Sequence, residues 1–276
     1  MKPTFNQLFD FLDLDPEFSS GEVLWKAGKP SRIEQDGNDV LLAIPFHRQE
    51  SSPDIKSDPD YESREYLMRL RAYGDRVLRL GMDFGRGSRS VSFRESEMLD
   101  IHPGLKPEIL SVFKSDETWQ VRDSSGVCRC KIDLQDPEID HWSDLLPAPD
   151  PSFLIDFYPD GDREIGLSTL DQFFPARQEA FPLAFIESGE DVHRSNISFR
   201  AMPGEVFAGT GERFSKLDLS GRTVDLRNVD GQGVNTRRTY KNVPFYLSSR
   251  MYGVFLQTSS FSKISLADHS TRSVQL

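Results

Sequence analysis

The feature that most constrains the fold is a succession of short strand-like runs separated by tight turns. Runs of alternating apolar and polar residues, rich in Val, Ile, Phe and Tyr, follow one another along most of the chain, a pattern typical of half-buried strands. Between them, the segments 36–38 (DGN), 73–75 (YGD) and 124–126 (SSG) predict hairpin turns. Because convincing helical patterns are few, the sequence predicts an all-β fold: a large antiparallel β-sandwich with few short helices.

Individual elements can be placed from the same patterns. Helical spacing of apolar residues predicts short helices at 4–12 and 93–101. The last residues, 270–276, have the pattern of a strand with no turn after it, which suggests a fragment of a longer chain. Interior strands are expected at 22–26, 39–46, 65–72, 77–80, 109–113, 118–122, 127–134, 153–157, 164–167, 195–200, 223–227, 243–248, 253–257 and 263–267.

The length of the chain, 276 residues, allows it to bury roughly three quarters of its unfolded surface without metal or disulfide support. No internal repeat or clear linker interrupts it, so residues 1–276 are expected to form a single domain. No apolar run approaches the ~20 residues of a membrane span, and no secretory signal is recognisable. The two cysteines, Cys128 and Cys130, have a spacing unsuited to a common disulfide. The sequence therefore predicts reduced thiols and a cytoplasmic protein without membrane contact.

Residues that could carry metal or covalent chemistry show no recognisable arrangement. The five histidines do not pair at ligand spacing, and no Ser, His and Asp set is marked by a nucleophile elbow. No spacing singles out a catalytic pair among the 44 acidic residues. We therefore expect no metal site and no cofactor, and the residues alone name no catalytic group.

Charge is distributed unevenly along the chain, which has a net charge of −11. Residues 191–276 hold twelve Lys and Arg against seven Asp and Glu, whereas residues 1–190 hold 21 against 37. The basic part lacks a clustered basic helix and the aromatic platforms of single-strand binders, so nucleic acid is not an expected partner. A solvated face, or a surface docked on an acidic partner domain, explains the basic part better.

Gly209-Thr210-Gly211 is the first of two motifs that invite a functional interpretation. The fingerprint of a phosphate-binding loop fails here, because Phe214 stands in place of its third glycine and no amphipathic helix follows. Glycines that let two backbones approach closely within a sheet are the better interpretation. The next residues, Glu212 and Arg213, are compatible with an internal ion pair or with an exposed face.

The second motif is the polar loop from Asn228 to Thr239, which contains NVDGQGVNT. Carboxylates and amides bind sugars by bridging neighbouring hydroxyls, and the glycines beside Asp230 allow that side chain to reach beyond the sheet. An ordinary solvent-exposed loop has the same composition. The residues alone do not decide between these two interpretations.

Several motifs in the last third of the chain together resemble a known family. FAGTGERFSKLDLSGR, the NVDG loop and TYKNVPFYLSSRMYGVFL follow one another within 207–256, and LMRLRAYGDRVLRL precedes them at 67–80. In this order they are similar to the N-terminal domain of glycoside hydrolase family 31, nearest its α-xylosidase branch. The resemblance implies a galactose-mutarotase-like β-sandwich that precedes a catalytic (β/α)8 barrel in a retaining enzyme, whose two carboxylates stand about 5 Å apart.

The resemblance also implies how the work is divided between the domains. Both catalytic aspartates would lie in the barrel, the nucleophile in a W-x-D-M-N-like motif that this chain lacks, so the chain itself would be non-catalytic. Its partners would be that barrel and an α-linked oligosaccharide substrate of the α-xylosidase or α-glucosidase type. Asp230 would face the aglycone side of the sugar pocket, and Gln232, Asn235 and Thr236 would be neighbouring substrate-binding residues.

Other expectations concern the surroundings of the loop and the alternatives. Tyr240, Phe245 and Tyr246 are expected to pack in the core, as strand aromatics usually do. A free-standing carbohydrate-binding module stays open and would need an exposed aromatic platform, which could include Trp142. A sugar epimerase of mutarotase type would need a paired acid and base within the sandwich. A homo-oligomer also stays open, because an unpaired terminal strand exposes hydrogen-bonding groups.

Overall fold

The computed structural model describes residues 22–49, 62–84, 105–134, 154–158, 165–168, 183–229, 239–269 and 271–276. These ranges contain strands and connecting turns, and no helix in them has the length and apolar character needed to cross a membrane. The strands are β1 (Glu22–Ala27), β2 (Arg32–Asp36), β3 (Asp39–Gln49), β4 (Ser63–Tyr73), β5 (Val77–Met82), β6 (Ser111–Lys114), β7 (Thr118–Arg122), β8 (Cys128–Asp133), β9 (Leu154–Phe157), β10 (Ile165–Ser168), β11 (Leu183–Ser188), β12 (Asp191–Arg200), β13 (Phe207–Gly211), β14 (Arg222–Asp225), β15 (Asn242–Ser248), β16 (Gly253–Phe255), β17 (Lys263–Leu266) and β18 (Ser273–Gln275).

Antiparallel pairing joins these strands into three sheets within the described ranges. The largest has ten strands, nine of them in the order β14-β17-β18-β12-β11-β1-β3-β4-β5, with β2 pairing β3 beside this path. A second sheet has the order β10-β9-β8-β7-β6. The third, called the small sheet below, has the order β13-β15-β16.

The long hairpin of β3 and β4 shows how the sequence produces these sheets. Alternate side chains of β3, those of Val40, Leu42, Ile44 and Phe46, are all 0% exposed, as the two-residue period requires of a strand with one face on the core. The preceding turn from β2 is formed by Gly37 and the residue after it. Gly37 has a positive φ of 62° there, a conformation that glycine adopts at little cost.

One apolar core is shared by the ten-stranded and the five-stranded sheets. Val121, Ile132 and Ile155 from the five-stranded sheet belong to the same buried cluster as Leu42 and Phe46 from the ten-stranded sheet. Two antiparallel sheets that bury facing sides against each other form a sandwich. The predicted all-β fold is therefore confirmed.

Most predicted strands are present, and their ends differ by a few residues. The sequence patterns do not predict β2, which is charged and mostly exposed, or β11, which buries five consecutive side chains and so lacks alternation. They also miss β13, whose two glycines weaken the strand signal. The predicted helices at 4–12 and 93–101 lie outside the described residues, and a single domain over 1–276 stays a prediction.

A buried ion network ties β3 to β4 where β3 begins. The Arg69 guanidinium donates to Asp39 Oδ2 at 2.5 Å and to Asp36 Oδ2 at 2.7 Å, and the Arg71 guanidinium donates to both Asp39 oxygens at 2.6 and 2.7 Å. Asp39 is only 2% exposed. Burial opposes its ionisation, but the hydrogen bonds from Arg71 and Arg69 outweigh burial and lower the pKa of Asp39. The buried carboxylate is thus compensated by two cations instead of by water.

Candidate functional site

The small sheet carries the residues that flank the predicted sugar-binding loop. Its middle strand, β15, begins at Asn242, shortly after the loop ends at Thr239. Asn228 and Thr239 pair as an isolated parallel bridge, and the Val229 N–H donates to the Thr239 carbonyl oxygen at 3.1 Å. The two ends of the loop therefore meet beside the first residue of β15.

A bulge in β13 shapes the backbone next to these loop ends. The pairing of β13 with β15 shifts register between Gly209 and Gly211, and the three residues Gly209, Thr210 and Gly211 have positive φ values of 116°, 63° and 95°. A Cβ on Gly211 would lie 2.0 Å from the Lys241 carbonyl oxygen, and one on Gly209 would lie 2.7 Å from that of Phe245. The prediction that these glycines permit close backbone approach within a sheet is confirmed.

Arg213 follows the bulge, and its guanidinium joins three elements. Nε donates to Thr210 Oγ1 at 3.0 Å, and one terminal nitrogen donates to the Asp225 carbonyl oxygen at 3.1 Å and to Asn242 Oδ1. All three acceptors are neutral oxygen atoms. Burial lowers the pKa of Arg213 from its ordinary value, and the charge of Asp225 acts in the opposite direction. The cation is therefore held by well-placed neutral acceptors.

Asn242 connects Arg213 to both ends of the loop. Its side-chain nitrogen donates to Asn228 Oδ1 at 2.7 Å and to the Thr239 carbonyl oxygen at 3.2 Å, and its backbone N–H donates to the same Asn228 oxygen at 3.3 Å. A side-chain amide suits this place because it accepts and donates hydrogen bonds at once. We call Arg213, Asn242, Asn228 and Thr239 the loop clamp.

Glu212 supports the loop clamp from the solvent side. The Thr239 hydroxyl donates to the Glu212 carbonyl oxygen at 2.8 Å, and the Glu212 N–H donates to the Lys241 carbonyl oxygen at 3.1 Å. The side chains of Lys241 and Glu212 also form an ion pair at 2.8 Å, but they are 51% and 74% exposed, so solvent screens the pair and it contributes little to stability. Of the two sequence-based alternatives, an exposed face holds for Glu212. Arg213 is half-buried and bonded to neutral groups.

The other end of β15 is anchored by a buried carboxylate. Glu205 is 8% exposed and accepts hydrogen bonds from the hydroxyls of Ser248 and Tyr252 and from the Met202 N–H, the last two at 2.7 and 2.8 Å. Burial, together with the nearby Glu205, raises the pKa of Tyr252. The neighbouring Tyr246 hydroxyl is buried and finds no hydrogen-bond partner within the described ranges. Both ends of β15 are thus fixed, one by the loop clamp and one by Glu205.

The outward side of the small sheet is apolar and exposed. Val243, Leu247 and Phe255 are 46%, 50% and 39% exposed. Phe245 pairs with Phe255 across the sheet, and its ring lies across Gly253. We call Val243, Phe245, Leu247 and Phe255 the outer face. Contiguous exposed apolar side chains of this kind mark an interaction surface.

The expectation for the three aromatic residues holds in part. Tyr246 is fully buried, as predicted, whereas Tyr240 is 61% exposed and the prediction for it is wrong. The reason is that Tyr240 precedes β15, so the alternation of that strand does not direct it inward. Phe245 is only partly buried because it occupies an outward position of β15.

The predicted substrate-binding residues, Asp230, Gln232, Asn235 and Thr236, lie outside the described residues, so their contacts stay a prediction. What the structure brings together is the pair of chain ends on either side of them. Sequence patterns do not identify Arg213 and Asn242 as the residues that hold these ends. The only sequence signal is the GTGER run itself, which includes the bulge glycines and Arg213.

The arrangement is suited to positioning a segment of chain. In the described ranges, no group of three or more His, Cys, Asp or Glu side chains gathers as a set of metal ligands. The half-buried Arg213 and the buried Glu205 are engaged by hydrogen bonds that fix β15 and the loop ends. The described contacts therefore fix strand β15 and the two ends of the loop.

A protein-family model matches the region that contains the small sheet. The model, described as the glycosyl hydrolase 31 N-terminal galactose mutarotase-like domain, matches residues 68–264. The chain belongs to this family. The match includes the whole loop clamp, the small sheet and the five-stranded sheet, while β1, β2, β3 and β18 of the ten-stranded sheet lie outside it. It confirms the resemblance seen in the sequence motifs.

Two characterised relatives of this family 31 domain are named α-xylosidases. Alpha-xylosidase XylQ from Lactiplantibacillus pentosus is 39% identical over 71 residues, and an alpha-xylosidase from Emericella nidulans is 41% identical over 73 residues. Each match covers 26% of this chain but only 9% of the relative. The chain therefore corresponds to a small part of the length of these enzymes.

A solved structure shows the same fold within a larger protein. The cycloalternan-forming enzyme from Listeria monocytogenes, in complex with a pentasaccharide substrate, matches 92% of this family 31 chain and 19% of its own chain. The TM-score is 0.63 and the sequence identity is 13%. At this identity the similarity shows the shared fold alone.

Proposed function

We propose that this chain is the N-terminal, non-catalytic domain of a retaining α-glycoside hydrolase of the α-xylosidase or α-glucosidase type. In this proposal the domain packs on a catalytic (β/α)8 barrel, and the segment between Asn228 and Thr239 completes the sugar pocket of that barrel. Family membership supports the enzyme class, and the two α-xylosidase relatives support an α-linked oligosaccharide as substrate.

The observation that carries the proposal is that one strand, β15, combines two features. Its first residue, Asn242, holds both ends of the loop, and its alternate residues Val243, Phe245 and Leu247 belong to the exposed outer face. Burying such a face against a second domain is favourable by about 25 cal/mol per Å² of apolar surface. Docking through the outer face would also fix the loop relative to the partner domain, because both features lie on the same rigid strand.

Asp230 is the proposed contact to the sugar on its aglycone side, with Gln232, Asn235 and Thr236 as neighbours. Carboxylate and amide groups suit this task because each can bond more than one hydroxyl. In this proposal the catalytic aspartates belong to the barrel. Substitutions in the loop should therefore change KM more than the rate of the chemical step.

A cytoplasmic location is part of the proposal. Cys128 and Cys130 are free thiols, as the sequence predicts, and burial raises the pKa of both. Raised thiol pKa values make thiolates scarce, so the buried Cys130 and the half-buried Cys128 are poor nucleophiles. Free thiols of this kind are the rule in reducing compartments.

The proposal is tested by the kinetics of Asp230→Asn in the full-length protein, with an aryl α-xyloside and an aryl α-glucoside as substrates. Loss of a charged hydrogen bond to the sugar should raise KM about ten-fold or more on the preferred substrate, with a smaller change in kcat. Asp75→Asn is the matched control, because the Asp75 side chain is 86% exposed in the turn between β4 and β5.

Unchanged KM values in Asp230→Asn would remove this loop from the sugar pocket. Absence of hydrolysis of either substrate by the full-length protein would overturn the enzyme class. Tight binding of an α-linked oligosaccharide by the 276-residue chain alone would instead favour the free-standing carbohydrate-binding module.

A further inference from the structure

We propose that Arg213 is a positioning residue that holds the two described ends of the loop, Asn228–Val229 and Thr239, together by orienting the Asn242 amide that bonds both. The inference rests on the proposed function for what the segment does with a sugar. It rests on the contacts of the loop clamp alone for how the segment is held. Arg213 lies outside the loop, and its hydrogen bonds among the described residues go to Thr210, Asp225 and Asn242.

Arg213 has a fixed position of its own. The bulge at Gly209–Gly211 places Thr210 Oγ1 beside its Nε, and the Asp225 carbonyl oxygen of β14 holds a terminal nitrogen. Thr210 is 0% exposed and has a positive φ of 63°. A non-glycine residue in that conformation is maintained only where its surroundings demand it.

Asn242 can bond both loop ends only in one orientation of its side-chain amide. The Arg213 guanidinium donates to Asn242 Oδ1, and this contact turns the amide nitrogen toward Asn228 Oδ1 and the Thr239 carbonyl oxygen. A flipped amide would present its nitrogen to the cation and its oxygen to two acceptors. Arg213 therefore selects the orientation in which both loop ends are bonded.

The experiment is hydrogen–deuterium exchange followed by NMR, on Arg213→Lys and on Asn242→Asp. Lysine keeps the charge but lacks the planar fork that reaches three acceptors, so the Val229 and Asn242 amides should exchange about ten-fold faster or more. Asn242→Asp keeps an acceptor for Arg213 and loses the donor to Asn228 and Thr239, so it should accelerate the same amides. Arg222→Lys, an exposed arginine of β14, is the control.

The exchange rates of the Val229, Asn242 and Leu42 amides, compared with one another, test whether Arg213 holds the loop ends. Faster exchange at Val229 and Asn242, with Leu42 in the ten-stranded sheet unchanged, is the expected result. Unchanged exchange at the loop ends would overturn the inference. Equal acceleration at all three amides would overturn it as well, since that outcome is general destabilisation.

Kinetics of the full-length protein separate this inference from the proposed function. If the loop binds sugar, Arg213→Lys should raise KM in the same direction as Asp230→Asn, about three-fold to ten-fold, with kcat nearly unchanged. A KM raised by Asp230→Asn but not by Arg213→Lys would overturn the positioning role. If neither variant alters KM, the proposed function fails. The role of Arg213 in holding the loop ends is then tested by the exchange rates alone.

Discussion

The arginines of the ten-stranded sheet and the arginine beside the small sheet hold their surroundings with different kinds of partner. Arg69 and Arg71 surround the buried carboxylate of Asp39, so charge is compensated by charge. Arg213 bonds three neutral oxygen atoms, and Glu205, at the other end of β15, accepts from two hydroxyls and one backbone N–H.

The difference shows that the ten-stranded sheet depends on ionised side chains at this place, whereas the small sheet depends on backbone geometry. In the ten-stranded sheet, removing Asp39 takes away the buried carboxylate that Arg69 and Arg71 share, which is costly. Beside the small sheet, Arg213 and Glu205 depend on neutral acceptors and donors that the bulge and the turns put in place. The first arrangement compensates charge inside the core, and the second holds the two ends of a loop in place.

Asp39→Asn should have the largest effect on stability. It leaves Arg69 and Arg71 without their shared counter-charge, and the free energy of unfolding should fall by about 3–5 kcal/mol in urea denaturation. Asp36→Asn is the matched control. Its carboxylate bonds Arg69 alone and its side chain is 51% exposed, so the loss should stay below about 1 kcal/mol. Equal losses in the two variants would remove the proposed contrast between the sheets.

Gly211→Ala should destabilise the small sheet by disturbing its backbone geometry. Its Cβ would lie 2.0 Å from the Lys241 carbonyl oxygen, at a φ of 95°, and we expect a loss of about 3 kcal/mol. Gly221→Ala shares a positive φ, of 70°, but its Cβ meets nothing within 4 Å, so only the conformational cost of about 1–2 kcal/mol applies. If the two variants unfold at the same urea concentration, close backbone approach is not what the bulge requires.

Tyr252→Phe and Tyr246→Phe sharpen the comparison at Glu205. The first removes a hydroxyl that donates to the buried carboxylate at 2.7 Å and should cost about 1.5–3 kcal/mol. The second removes a buried hydroxyl that lies beside Tyr252 and Glu205 but makes no close hydrogen bond among the described residues, so its effect on stability should be smaller, below about 1 kcal/mol. Thermal unfolding of the two variants side by side gives the answer, and a reversed order would mean that Glu205 does not anchor β15.

The pH dependence of stability should be the most gradual effect. The hydrogen bonds from Arg71 and Arg69 outweigh burial and lower the pKa of Asp39 below its ordinary value of 3.8. Its contribution is therefore fully present above that value and is lost as the pH falls through the lowered pKa in the folded state. The stability difference between wild type and Asp39→Asn should shrink on acidification, by at most about 1.4 kcal/mol per pH unit. A constant difference down to pH 2 would contradict this.

Much of the fold could be predicted from the sequence because alternation is a local property. Strand β3 is predicted by the alternation of its own apolar residues, Val40, Leu42, Ile44 and Phe46. The DGN turn before it is predicted from neighbouring residues in the same way. β11 escaped prediction because a strand covered on both faces has no alternation. The sequence predicts that these strands form a β-sandwich, but it does not predict which strands pair with each other.

The candidate site was predicted less completely, for a physical reason. The NVDG loop could be singled out by composition and by resemblance, but its support depends on contacts between distant parts of the chain. Arg213 and Asn242 are 29 residues apart, and their contact depends on a bulge that the sequence signals only as two glycines. Tyr240 was misplaced because it stands just before the strand whose alternation was applied to it.

The most direct test of the central claim, that the small sheet presents the 229–238 segment to a sugar, is a crystal structure of the full-length protein with a bound α-linked oligosaccharide. The account predicts that Asp230 lies within about 3.2 Å of a sugar hydroxyl and that the catalytic domain covers Val243, Phe245, Leu247 and Phe255. A sugar bound with no atom of this segment near it, and an outer face open to solvent, would contradict the account.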